Sequence, residues 1–121
     1  MAFELSDKVT LPQLVRAALA TPRPNAMIER VDGAWTPSSS DDVLRRIEDL
    51  ACAIRAAGLS AGDRVALIAP NSVAWLIADF ATVFAGCVVV PVYPTQALDH
   101  TAHILRHSGA KLAFVDSQAT R

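Results

Sequence analysis

Three histidines, His100, His103 and His107, have the spacing in this sequence that comes closest to a metal site. On one helix they project within about 60° of one another, an arrangement that can in principle hold zinc. Asp99, the nearest acid, suits the positive end of the helix dipole and completes no ligand set. The predicted buried stripe of the same helix lies on the opposite side and consists of Leu98, Thr101, Ala102 and Leu105. We therefore interpret the histidines as a solvated polar face and predict no metal site.

Phosphate binding requires a glycine-rich turn after a strand, and the glycines here fall at 33, 58, 62, 86 and 109. Their spacing matches neither G-x-G-x-x-G nor G-x-x-x-x-G-K-[ST]. The first strand-to-helix turn, "APNSV" (69–73), contains no glycine, and the two lysines, Lys8 and Lys111, lie in no phosphate motif. Asp41 and Asp42 precede a helix instead of ending a strand, which disfavours an acidic receiver pocket. The residues themselves predict no catalytic, cofactor-binding or metal-binding side chain.

The stretch "VVVPVYPT" (88–95) builds an apolar strand and then breaks it with two prolines. Because proline cannot donate to a sheet ladder, we predict a central strand over 88–90 with its exit at Pro91. The exit falls at the carboxyl end of the strand, where open α/β sheets form their ligand crevices. Tyr93 and Thr95 are therefore expected at the functional rim. The alternative is a stiff turn in which Tyr93 packs and Thr95 caps the next helix.

Alternating apolar strands and helices predict an α/β fold with a partial Rossmann-like, three-layer architecture and a parallel sheet from residue 64. A helix over 11–20, a short hairpin that turns at Asp32–Gly33 and a helix that starts after Ser39 and ends before Gly58 precede this βαβαβ unit. The βαβαβ unit itself comprises strands at 64–69, 87–90 and 111–115, with helices between them. The predicted core residues are Leu44, Ile47, Leu50, Val65, Leu67, Ile77, Phe80, Val89, Leu105 and Phe114.

The bulk composition is that of a packed globular chain, with 121 residues, 52% hydrophobic and 19% charged. With a net charge of −1, the chain lacks the excess of basic residues that is typical of nucleic-acid-binding domains. Cys52 and Cys87 lie in apolar runs and are interpreted as buried thiols of a reducing compartment. The N-terminus lacks the pattern of a signal peptide, and no segment is long enough to cross a membrane. We expect a soluble, cytoplasmic protein.

The segment 72–86, "SVAWLIADFATVFAG", is apolar on almost every side, with Asp79 and Thr82 as its only interior polar residues. Helices of this kind are usually buried on more than one face. A chain of 121 residues has little protein with which to cover both faces. We therefore expect self-association, through this helix or through an unpaired edge of the sheet.

Several stretches together resemble the N-terminal region of the adenylate-forming, or AMP-binding, enzymes, and among them the long-chain fatty acid–CoA ligases. The matching stretches are "GDRVALIAPNS" (62–72), "WLIADFA" (75–81), "VPVYPT" (90–95) and "ILRHSGAKLAFV" (104–115). "DGAW" (32–35) falls in the order of the family as well. The resemblance covers nearly all of the chain from Leu11 and implies that residues 1–121 are the N-terminal part of an AMP-binding domain. It also implies that the rest of that domain and the C-terminal domain lie outside these residues.

The resemblance implies a two-step reaction for the family. A carboxylate is first activated with ATP and Mg²⁺ as an acyl-adenylate, and the acyl group is then transferred to coenzyme A. The phosphate loop, the ribose-binding Asp and the catalytic Lys of the family have no counterpart here, so no catalytic residue is carried over. Some relatives approach coenzyme A with arginines near the helix after the "YPT" region. His100, His103 and Arg106 do not match those arginines and stay unassigned.

Two functions follow as expectations. The first is an N-terminal fragment of a fatty acid–CoA ligase that lacks catalysis and cofactors by itself and meets a fatty acid only in a full-length context. The second is a non-catalytic interaction or oligomerisation module with the same fold.

Overall fold

The structure, a computed structural model, describes residues 9–116, which divide into two compact units between Leu44 and Arg45. Its four helices and five strands within the described range are α1 (Leu11–Ala20), β1 (Met27–Val31), β2 (Ala34–Ser38), α2 (Ser40–Ala56), β3 (Arg64–Ile68), α3 (Val73–Phe84), β4 (Val88–Pro91), α4 (Leu98–Ser108) and β5 (Leu112–Val115). The order confirms the predicted helix, hairpin, helix and βαβαβ unit.

The first unit contains α1 and the β1–β2 hairpin. Thr10 and Gln13 form a reciprocal capping box that starts α1. The two strands pair antiparallel through the turn at Asp32 and Gly33, whose φ angles of 50° and 82° are the left-handed values that a two-residue hairpin turn requires. Both the hairpin and its turn residues therefore match the sequence prediction.

The start of α2 depends on two adjacent serines. The Ser39 hydroxyl accepts a hydrogen bond from the Asp42 backbone N–H at 3.2 Å, which confirms the predicted cap. Ser40 is 1% exposed, and its hydroxyl accepts from the Arg23 backbone N–H at 2.9 Å. The Ser40 N–H in turn donates to the Arg23 carbonyl at 2.9 Å. The segment before β1 is thus fixed to the first turn of α2.

The second unit contains a three-stranded parallel sheet in the order β4-β3-β5. Val65, Ala66 and Leu67 on β3 are almost completely buried. Because β4 and β5 flank β3 on opposite sides, right-handed crossovers place α3 and α4 on opposite faces of the sheet, which is the predicted three-layer arrangement. The strand order reverses between β3 and β5, so their carboxyl ends form a topological switch point.

The predicted core is confirmed for four of its ten residues. Ile47, Val65, Leu67 and Ile77 are at most 5% exposed, and the six other predicted core residues are half-buried. No helix within residues 9–116 is both long and apolar enough to cross a membrane.

Several local predictions were wrong. The 88–90 strand is not central, because β4 pairs with β3 alone among the described strands, and Val88 is 49% exposed. Thr95 does not cap α4, which begins after Ala97 without a side-chain cap. Leu98 is 86% exposed instead of buried, since it lies in the first turn of α4. Cys52 is exposed on α2, whereas Cys87 is buried as predicted.

Candidate functional site at the carboxyl ends of the strands

Two loops of the second unit form the carboxyl rim of the sheet. The loop after β3 ends at Ser72, whose hydroxyl accepts from the Trp75 backbone N–H at 3.0 Å and so caps α3. The loop after β4 is held by the Val92 N–H, which donates to the Leu67 carbonyl at 2.9 Å. Clefts open on either side of the β3–α3 loop, and each is lined only by residues of this unit.

The first cleft, which we call the Tyr93 cleft, has a volume of about 740 Å³ and lies at the ends of β3 and β4. Its lining includes Pro70, Asn71, Pro91, Tyr93, Pro94 and Thr95. Tyr93 is 77% exposed and Thr95 is exposed as well. The structure therefore places both side chains at the rim, and the alternative that Tyr93 packs while Thr95 caps a helix is wrong.

The second cleft, which we call the switch-point cleft, has a volume of about 920 Å³. It is bordered by the carboxyl ends of β3 and β5 and is walled by α2 and α3. Its apolar lining includes Leu50, Leu67, Ile77, Phe114 and Val115. The charged residues of its lining are Arg46, Asp49 and Asp116.

Trp75 lines both clefts, as does Ala69. Trp75 was not predicted from the sequence as a binding residue. Its position three residues after the capping serine was the available signal, because that turn of the helix faces the crevice at a strand-to-helix junction. The half-buried indole is thus the wall that the two clefts share.

Charged side chains connect β3 to β5 and to α4 at the amino end of the sheet, opposite the carboxyl rim. Lys111 Nζ lies 3.1 Å from Asp63 Oδ1, and both residues directly precede strands. The Arg64 Nε donates to the Ser108 carbonyl at 2.7 Å, at the end of α4. The Ser60 N–H, which donates to Asp63, and then the Lys111 ammonium hold the pKa of Asp63 below its ordinary value.

Two features that are common in triphosphate sites are missing from the described residues of the carboxyl rim. The β3–α3 turn has no glycine to let phosphates approach the backbone, and the Ser72 hydroxyl is engaged as a helix cap. Lys111, the one lysine among residues 9–116, lies at the other end of the sheet.

The histidines of α4 lie on its exposed side. The rings of His103 and His107 stack with centroids 5.7 Å apart, and His100 is exposed one turn earlier. Across residues 9–116 no group of three or more His, Cys, Asp or Glu side chains is arranged to hold a metal ion.

Asp79 is a half-buried carboxylate on α3, whose other polar residue is the buried Thr82. Burial disfavours its charged form and raises its pKa above the ordinary value. Asp79 lines neither the Tyr93 cleft nor the switch-point cleft.

Comparisons with known proteins give the affiliation of the chain. It is 34% identical over 92 residues to the long-chain-fatty-acid–CoA ligase FadD15 of Mycobacterium bovis, covering 74% of this chain and 15% of that protein. It is 37% identical over 98 residues to a feruloyl-CoA synthase of an Amycolatopsis species, covering 81% of this chain and 19% of the relative.

Among solved structures, the fatty acid AMP ligase from Legionella pneumophila superposes with a TM-score of 0.79 at 24% identity, over 89% of this chain and 20% of that one. This likeness confirms the fold. The chain thus spans a fifth or less of the length of each of these three proteins. A family model described as AMP-binding enzyme matches residues 14–121, and the chain belongs to that family.

Proposed function

We propose that the chain is the N-terminal part of a fatty acid–CoA ligase, which activates a fatty acid with ATP as an acyl-adenylate and transfers the acyl group to coenzyme A. The observation that supports this most is the family match over residues 14–121, together with the similarity to a long-chain-fatty-acid–CoA ligase. The fatty acid is the substrate class proposed, and an aromatic acid such as that named by the feruloyl-CoA synthase is the competitor.

We propose further that these 121 residues do not catalyse either step alone. Support comes from the carboxyl rim, which offers no glycine-rich turn and no lysine to a triphosphate. ATP, Mg²⁺ and coenzyme A would therefore be held by other parts of a longer protein. The chain contributes the β4-β3-β5 sheet and its rim loops to that protein as scaffold. The free thiols of Cys52 and Cys87 agree with a reducing compartment, and we propose the cytoplasm.

The test uses a preparation whose intact mass is verified as 12.9 kDa. Its thermal unfolding is followed with and without millimolar ATP·Mg²⁺, and pyrophosphate exchange is measured with a fatty acid. A ligand at a hundred times its Kd would stabilise the fold by about 2.7 kcal/mol, an easily visible shift. We expect neither a shift nor exchange above blank. A reproducible shift of that size, or exchange, would overturn the scaffold proposal.

The family part of the proposal is tested separately. A longer polypeptide that carries this sequence is assayed for acyl-CoA formation from hexadecanoate and from ferulate. Turnover of hexadecanoate is expected to be faster. Preferential turnover of ferulate would shift the substrate class to aromatic acids.

The competing function is an interaction module that binds a partner through residues 72–86. The large apolar side chains on α3 are all buried or half-buried. No observation in the described residues therefore favours this function over the ligase fragment.

A further inference from the structure

We propose that the switch-point cleft binds a small neutral apolar molecule, such as a medium-chain alcohol, independently of the ligase function proposed above. The first support is position. In open α/β sheets, ligands bind outside the carboxyl ends of the strands, at the point where the strand order reverses. Here that point lies between β3 and β5, and Leu67 and Phe114 from these two strands both line the cleft.

The second support is size and lining. The volume of about 920 Å³ lies within the range of small-molecule sites, which run from about 300 to 1,000 Å³. Leu50, Ile77 and Val115 give the cleft apolar walls on the helix and strand sides. Transfer of a hydrocarbon chain from water onto such walls is favourable in proportion to the apolar area that is covered.

The third support is the charge of the lining, which decides between a neutral ligand and an acid. Asp49 and Asp116 contribute two carboxylates, against the single guanidinium of Arg46. A ligand carboxylate would thus meet a lining with an excess of negative charge, and like charges brought together in an apolar cleft repel. A hydroxyl head group avoids this repulsion and can still hydrogen-bond at the open side of the cleft.

Trp75 provides the readout, because its indole lines the cleft. The other tryptophan, Trp35, is 70% exposed on the hairpin of the first unit. In a Trp35→Phe background, emission therefore reports on Trp75 alone. Octan-1-ol and octanoate are titrated separately at pH 7.5, and the affinity of each is read from the emission maximum.

We expect octan-1-ol to produce a saturable blue shift and octanoate to bind at least about tenfold more weakly. Equal or tighter binding of octanoate would overturn the charge argument. A response that never saturates, or no response at all, would overturn the site. Dimerisation that leaves the emission insensitive to octan-1-ol would also do so, since the cleft would then be an interface between copies.

Two substitutions fill the cleft from opposite walls. Ala53 on α2 and Ala74 on α3 both line it and are exposed. Ala53→Phe and Ala74→Phe should each weaken octan-1-ol binding at least about tenfold. The matched control is Ala56→Phe, at another exposed alanine of α2 that does not line the cleft, and it should change the affinity less than about twofold.

Far-UV circular dichroism establishes that each variant is folded, and the variant from the second wall decides the outcome if the first does not fold. If both filled variants are folded and bind octan-1-ol like the control, the ligand lies elsewhere and the proposal fails.

Discussion

The Lys111 ammonium lies 3.1 Å from the Asp63 carboxylate and joins the residues that directly precede β5 and β3. The same carboxylate accepts the Ser60 N–H at 2.8 Å through its other oxygen. Charge and backbone hydrogen bonding thus meet at the amino end of the sheet, while the clefts occupy the carboxyl end.

This relationship makes stability depend on pH. The pKa of Asp63 is lowered in the folded state, first by the Ser60 N–H and then by Lys111, from the ordinary value of 3.8. Stability from the charged carboxylate is therefore present above that value and is lost as the pH falls through the lower folded pKa. In urea unfolding from pH 7 to pH 2.5, Asp63→Asn should be less stable than the wild type at pH 7. The difference should close at the acidic end.

Lys111→Met tests how much of the lowering of the Asp63 pKa comes from the lysine and how much from the Ser60 N–H. Because the Ser60 N–H still lowers the pKa of Asp63 after the ammonium is removed, this variant should lose less of the pH-dependent difference than Asp63→Asn. A difference between Asp63→Asn and the wild type that is constant at every pH would contradict the assignment to the carboxylate.

Asp79 should show the opposite pH dependence. Burial raises its pKa, so the charged carboxylate destabilises the fold once the pH exceeds the ordinary value of 3.8. Asp79→Asn should therefore raise the thermal midpoint at pH 7, and the gain should shrink at pH 3, where the carboxyl group is largely neutral in both states. A midpoint that falls at pH 7 would show that the carboxylate is stabilised in the fold.

The two leucines at 67 and 98 form a matched pair. Leu67 is 2% exposed on the central strand, and Leu67→Ala should lower the free energy of unfolding by about 2–5 kcal/mol. Leu98 is 86% exposed, and Leu98→Ala should change it by less than about 0.5 kcal/mol. Chemical denaturation of both variants checks the pair. A loss below about 0.5 kcal/mol at Leu67 would place that side chain outside the core.

Ser40 should matter more than its small size suggests. Ser40→Ala removes the acceptor of the Arg23 N–H and should cost about 1–3 kcal/mol in a denaturant titration. Ser60→Ala is the control, because the Ser60 side chain is exposed and the hydrogen bond to Asp63 comes from the Ser60 backbone N–H. Equal effects at the two positions would remove the role assigned to the buried hydroxyl.

Self-association remains a prediction, and the structure suggests where to test it. Among the described strands, β4 and β5 each pair only with β3, so each leaves one edge open, with Val88 and Val115 nearly half exposed. Sedimentation at micromolar concentration should show a dimer or larger species. Val88→Lys or Val115→Lys should weaken whichever edge is used, since charged edge residues oppose strand pairing. A monomer at these concentrations would contradict the prediction.

Local chemistry made much of the fold predictable. The Asp32–Gly33 turn, the Ser39 cap and the apolar runs of β3 and β5 each act over a few residues, and all appear as predicted. The neighbours of a strand do not follow from its own residues. The valine run of β4 was predicted to be central because it is apolar, yet its position at the edge depends on where β5 pairs.

The rim was predictable only in part. The prolines located the exit of β4, and Tyr93 and Thr95 lie there. The capping role of Thr95 failed because the Gln96 N–H donates to the Tyr93 carbonyl, so the chain makes a separate turn before α4 begins at Leu98. Trp75 lines both clefts because of the tertiary arrangement of β3, β4 and β5. A local sequence pattern cannot predict that arrangement.

The strand order also constrains the sequence of events during synthesis. Residues 64–91 contain both β3 and β4 and can pair as soon as they have left the ribosome, whereas the opposite edge of β3 must wait for β5. Until then, the side of β3 that bears the backbone groups of Arg64, Ala66 and Ile68 is open to other chains in the cell. Contacts between segments distant in sequence form late and leave such edges exposed. The interval between translation of β4 and of β5 is therefore the period in which chaperone binding would most protect this chain from misassembly.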